Sequence, residues 1–155
     1  MNCKITDALV NATTSVFQMM LGCDVTVGSA VQKNGNKSEY EITGMVGITG
    51  TAAGIIALSM NRETANKAVE AMTGEQPSSD GEVTDVVAEL INMIAENAKA
   101  KVDDEEMRMS IPMVVTGSVS YSSTVNPTLI PMQTPWGPLA IEVALVATLD
   151  MVYAR

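Results

Sequence analysis

Hydrophobic positions recur along the chain with two different periods, and the switches between them mark out the elements. From Thr6 to Leu21 the spacing is helical, with Leu9, Val16, Phe17 and Met20 on one side, and Gly22 supplies a stop. CDVTVGSAVQ then reads as a strand, the Asn34-Gly35 pair as a hairpin signal, and SEYEITGMVGITG as the returning strand. GIIALSM makes a third. Asn61 caps a short helix, RETANKAVEAMT, which Gly74 and Pro77 close. Ser79 and Glu82 form a capping-box pair at the mouth of a long helix. That helix runs to about Val102 and dissolves into the acidic run Asp103 to Glu106. Three more strands are predicted in MVVTGSVSY, TLIPMQT and PLAIEVALVATL, with a Trp136-Gly137 turn joining the last two.

The order helix, three strands, helix, helix, three strands reads as a repeat. ITDALVNATTSVF aligns with VTDVVAELINMIA without a gap, and TGTAAGIIALSM resembles QTPWGPLAIEVAL, which places Gly54 and Gly137 in matching turns. The expected fold is α+β: a single domain, 1–155, of two pseudo-repeated halves, about 1–75 and 76–155. Each half contributes a helix plus about three antiparallel strands to a helix-covered sheet. The last strand is almost continuously apolar, as a strand buried on both faces or at a subunit interface would be.

The long helix carries one further pattern. At about 100° per residue, Val83, Val86, Val87, Leu90, Met93 and Ile94 share a broad apolar face. Asp85, Glu89, Asn92 and Glu96 fall within roughly 60° of one another on the opposite face, a single ridge that Lys99 continues. Any amphipathic helix has a polar face, so the ridge by itself is compatible with a plain wet surface. Asn in mid-helix is nonetheless about half a kcal/mol worse than Ala. In the first helix the matching ridge is Asp7, Asn11, Thr14 and Gln18, so the Glu-Asn pair occurs in one half only. If it has a task, the chain has one site.

Composition narrows the chemistry. The 155 residues suit one domain, and 46% hydrophobic against 17% charged residues marks a folding chain. Aromatics are only 3%, so the core is built from aliphatic residues and the 12 Met. A net charge of -9 argues against a nucleic-acid partner and an anionic membrane surface, both of which need a Lys/Arg footprint. With no histidine, the commonest general base and metal ligand is missing. Cys3 and Cys23 alone make neither a structural zinc site nor a disulfide framework. Asp7, Asn11 and Gln18 interrupt the N-terminal apolar stretch, so neither a signal peptide nor membrane insertion is expected, and the cytoplasm is the default compartment. Gly47 and Gly50 to Gly54 lie between strands, not before a helix, so no phosphate-binding loop is read there. The run Asp103 to Glu106 lacks the calcium-loop pattern and reads as a solvated helix end.

The ridge, Asp85-VVA-Glu89-LI-Asn92, resembles the signature of the chemotaxis phosphatases of the CheC, CheX and FliY family. In that family Asp or Ser is followed by Glu and Asn at this spacing, with a Pro about twenty residues on. Pro112 is the candidate here, slightly early. ELINMIAENAKA, the single signature and the ending LIPMQTPWGPLAIEVAL look most like the CheX branch. Glu96 departs from the pattern, standing where a small residue such as Gly is expected.

The resemblance implies a phosphatase for the aspartyl phosphate of a CheY-like response regulator, in bacterial chemotaxis or related two-component signalling. Asn92 would orient the attacking water and Glu89 would pair with the receiver's Lys. Asp85 and Glu96 would support docking. The chain itself would bind no cofactor, Mg²⁺ being carried by the partner receiver domain. A homodimer is also implied. The alternative is a non-catalytic module that binds a response regulator or serves as a flagellar or receptor-associated adaptor, in which Glu89 matters and Asn92 does not. A purely structural subunit would need neither residue.

Overall fold

A computed structural model describes residues 3–35, 37–120 and 125–148, apart from the side chain of Cys3. The ends of two expected strands, Tyr121 and Leu149, lie outside these residues.

 

The helices form where the 3.6-residue pattern predicts them. Helix α1 spans Cys3–Leu21, α2 Arg62–Thr73 and α3 Asp80–Val102. The caps are those the sequence advertises. The Asn61 side chain accepts from the Thr64 amide at 2.9 Å, and Gly74 closes α2 in the left-handed region at φ 87°. Ser79 accepts from the Glu82 amide at 3.3 Å. The Glu82 carboxylate in turn accepts from the Ser78 amide at 2.9 Å, one residue earlier than an ideal capping box. At the far end Asp103 adopts the left-handed conformation, φ 53°, that usually falls to glycine. Asp104 accepts from the amides of Glu106 and Met107 and from the Thr51 hydroxyl, so the acidic run is a helix terminator tied to a neighbouring turn.

The strands are β1 Thr26–Val27, β2 Val31–Gln32, β3 Ile42–Thr49, β4 Ala52–Met60, β5 Arg108–Met109, β6 Met113–Thr116, β7 Thr128–Thr134 and β8 Gly137–Ala147. They form one antiparallel sheet in the order β1-β7-β8-β4-β3-β5, with β2 also on β7 and β6 also on β3. The order is unchanged when the first four strands are exchanged with the last four. At its centre Leu58 of β4 faces Ile141 of β8, two residues that the aligned halves place in register. The α+β class and the helix-covered antiparallel sheet are as expected.

Three expectations are corrected. The Asn34-Gly35 turn does not make a hairpin, because β2 pairs with β7 while β3 pairs with β4, β5 and β6. The turn signal marks a chain reversal and says nothing about which strand is waiting on the other side. CDVTVGSAVQ forms two short strands instead of one, and in the second half the unexpected β5 precedes β6, which begins MVVTGSVSY, so among the described residues eight strands replace six. Between the pieces the register slips by one residue, as in a β-bulge: Val27 faces Met132 but Val31 faces Leu129, and Met109 faces Ile48 but Met113 faces Met45. Finally, Gly54 lies inside β4 and not in a turn. A Cβ there would sit 1.9 Å from the Ala144 carbonyl oxygen, so a close strand approach explains the glycine.

The core lies between the sheet and the helices. Ile42, Val46, Ile56, Leu58, Met60, Ile130, Leu139 and Ile141 meet Leu9, Phe17, Val87, Leu90 and Ile94 there. Strand β8 is central and buried on both sides, which accounts for its unbroken apolar run. The opposite face of the sheet is crossed by the chain that links the two edges. Ser38 donates its amide to the Val119 carbonyl at 2.7 Å, and Gly117 donates to Glu41 at 2.7 Å. Beneath this crossing the Lys33 ammonium lies 2.5 Å from the Glu142 carboxylate and 3.3 Å from Glu39. Glu142 is buried, and burial pushes its carboxyl above the ordinary value while Lys33 pulls it back.

Candidate functional site on helix α3

Helix α3 runs 23 residues without a break. Val83, Val86, Val87, Leu90, Ile91, Ile94, Ala95 and Ala98 are buried, which fixes its rotation about its own axis. The opposite side therefore faces outward, and the ridge is where the pattern puts it. Asp85, Glu89 and Glu96 are exposed and Asn92 is half-buried. Glu89 and Asn92 are separated by about 4.5 Å along the helix axis and lie on neighbouring positions of the same face. Among the described residues none of the four ridge side chains makes a hydrogen bond or ion pair with another part of the chain. Three carboxylates and a carboxamide are thus held on one helix with their polar atoms free for a partner.

The equivalent ridge on α1 is chemically different. Asp7, Asn11 and Gln18 are exposed, but Thr14, aligned with Asn92, donates its hydroxyl back to the Asn11 carbonyl at 3.0 Å. That hydroxyl serves its own helix. Pro112 lies at the register slip between β5 and β6, on the outer strand of the sheet, where a missing amide is tolerated. Helix α3 packs against β6, so the proline belongs to the same flank of the molecule as α3.

A residue that the motif does not include lies in close contact with α3. Gly44 of β3 lies under it, and a Cβ at that position would meet Val87 Cγ1 at 3.0 Å and Ile91 Cγ2 at 3.1 Å. A glycine inside a predicted strand is the signal that could have pointed to a close approach, though Gly47 in the same strand carries it equally.

The ridge is convex. A cleft of about 1070 Å³ lies at another place, between the acidic run Asp103 to Glu106 and the end of β8, and no ridge residue lines it. Small-molecule substrates are normally held in concavities. A protruding Glu and Asn suit a partner that brings its own cleft. Among the described residues no group of three His, Cys, Asp or Glu side chains is placed to hold a metal ion, and no helix is long and apolar enough to cross a membrane.

Comparison with known proteins identifies the family. The family described as "Chemotaxis phosphatase CheX" matches residues 42–132, a stretch that contains the whole ridge. The CheY-P phosphatase CheX of Thermotoga maritima is 28% identical over 121 residues, covering 76% of this chain and 78% of its own. A chemotaxis protein CheX from Desulfovibrio desulfuricans has a crystal structure that superposes with a TM-score of 0.84 at 27% identity, over 93% of this chain and 99% of that one. The CheX of Borrelia burgdorferi, solved as a CheX-CheY-BeF₃-Mg²⁺ complex, shares the fold with a TM-score of 0.74 at 21% identity, over 91% of this chain and 97% of that one. The chain belongs to the CheX family of chemotaxis phosphatases.

Proposed function

We propose that this protein accelerates hydrolysis of the aspartyl phosphate on a CheY-like response regulator, with Asn92 orienting the attacking water and Glu89 fixing the register of the complex. The observation that carries the reading is the pair itself: Glu89 and Asn92, without internal partners, side by side on the outward face of a rigid helix. The Thermotoga relative is named for action on CheY-P, and the Borrelia relative is solved with CheY, BeF₃ and Mg²⁺.

The chemistry asks little of the chain. Phosphoryl transfer to water is mostly positioning and charge stabilisation. The water oxygen forms a new bond to phosphorus while the bond from phosphorus to the aspartyl oxygen breaks, releasing inorganic phosphate and a free carboxylate. The receiver supplies Mg²⁺ and a Lys to bear the developing charge. The Asn92 carboxamide oxygen accepts one hydrogen bond from the water and its NH₂ group donates others, holding the water in line without taking its proton. The Glu89 carboxylate pairs with the receiver's Lys. Asp85 and Glu96 extend the acidic ridge and support docking. The family resemblance further implies a cytoplasmic homodimer.

The test is the decay of a phosphorylated CheY-type receiver in Mg²⁺, with this protein and with its Asn92→Ala variant. Catalytic acceleration by the wild type, lost in the variant, supports the reading. Unchanged decay with both, across several receivers that nonetheless bind, would leave a docking module whose acidic ridge serves recognition alone.

A further inference from the structure

Gly44 lies in the middle of β3, opposite Leu58 of β4 and Val114 of β6. Its backbone does not call for glycine, since it is not among the positive-φ residues. Glycine inside a strand is destabilising by roughly 0.5–1 kcal/mol relative to Ala. A packing reason is therefore needed, and the helix above supplies it. A Cβ on residue 44 would lie 3.0 Å from Val87 Cγ1, 3.1 Å from Ile91 Cγ2 and 3.4 Å from the Val87 carbonyl oxygen. All three atoms belong to the turn of α3 that carries Glu89, and Ile91 immediately precedes Asn92.

Val87 and Ile91 are both fully buried and β-branched. In a helix their γ carbons are held in one strongly preferred rotamer, so they cannot swing aside. A side chain at 44 would press on the helix backbone. We infer that Gly44 is a positioning residue: the absence of its side chain sets the depth at which α3 is seated on the sheet, and so how far Glu89 and Asn92 project. This rests on the phosphatase reading above. A water held in line tolerates little displacement, since a misplacement of about 1 Å can cost on the order of 10²-fold in rate. A shift of a few tenths of an ångström should cost several-fold.

The experiment measures kcat and KM for a phosphorylated receiver with the wild type, Gly44→Ala, Gly44→Ala/Val87→Ala and Asn92→Ala. All are assayed well below their unfolding midpoints. Gly44→Ala is expected to lower kcat roughly three- to tenfold, with KM held within about twofold. Adding Val87→Ala removes the clashing methyls and should recover most of kcat, although deleting buried methyls lowers stability. Higher kcat in the less stable double variant is an outcome that a merely structural role for Gly44 does not produce. Wild-type kcat in Gly44→Ala, or activity that simply follows stability through the series, overturns the inference while Asn92→Ala still reports on the phosphatase. A wild type no faster than Asn92→Ala overturns the phosphatase reading itself, and this inference with it.

Discussion

Asn92 is a residue that stability would not choose. Its carboxamide is half-buried in the outer face of α3 and makes no hydrogen bond within the described chain. Asn in a helix interior is also less favourable than Ala by about half a kcal/mol. Asn92→Ala should therefore leave the protein as stable as the wild type or a few tenths of a kcal/mol more so, while abolishing accelerated receiver decay. Denaturant midpoints read beside the decay rates check both halves of that statement. A variant that loses activity together with stability would point to a structural amide. Glu89→Ala should differ in kind, raising KM as well as lowering kcat, because it removes a docking contact. On α1, Asn11→Ala and Thr14→Ala should leave decay rates unchanged, since the Thr14 hydroxyl is already engaged by the Asn11 carbonyl. Equal damage from Asn11→Ala and Asn92→Ala would mean that both halves of the chain work.

At the scale of elements, the ends of helices are where local chemistry is most exposed to test. Asp103 closes α3 at φ 53°, in a region costly for any residue with a Cβ, and its amide bonds to the Lys99 carbonyl. Asp103→Gly keeps that bond and relieves the strain, so it should raise stability by roughly 0.5–1 kcal/mol without touching receiver decay. A thermal melt and the decay assay together decide it. Asn61→Ala should act the other way on α2, costing about 1 kcal/mol by orphaning the Thr64 amide. These ends were legible because caps are written within a few residues of the chain. Helix α2 and strand β7 fall on the stretches RETANKAVEAMT and TLIPMQT that the pattern marks. The ridge was legible for the same reason, since helical spacing alone puts Glu89 and Asn92 on one face. The partners of β2 and the breaks in the edge strands were not. Asn34-Gly35 announces a reversal, but β2 finds its neighbour in β7, almost a hundred positions later in sequence, and no local signal carries that information. The role of Gly44 was not legible either, because it is set by Val87 and Ile91 in the helix above it.

At the scale of the whole molecule, each half lends its first two short strands to the sheet edge formed by the other half, so the chain must cross the sheet twice. One crossing is anchored by Lys33 on Glu142, from a strand at the centre of the sheet. The two possible electrostatic outcomes have opposite signs. If the ion pair dominates, the folded state prefers the carboxylate and stability rises with pH. If burial dominates, the folded state prefers the protonated acid. Burial is the larger influence on Glu142, reinforced by the negative charge of Glu39, with Lys33 opposing both. The carboxyl is consequently raised above its ordinary value of 4.5. Between the unfolded and folded values the native chain binds more protons than the unfolded one, so this group's contribution is fully present below the ordinary value and declines as pH rises through the folded value. Other carboxylates and the net charge of -9 impose their own slope on the wild type, so the informative quantity is a difference. Urea unfolding of the wild type and of Glu142→Gln, followed upward from the ordinary glutamate range, should show the wild type losing stability relative to the variant. A wild type that gains relative to Glu142→Gln over the same window would mean that Lys33 outweighs burial, and that the crossing is held by a full ion pair.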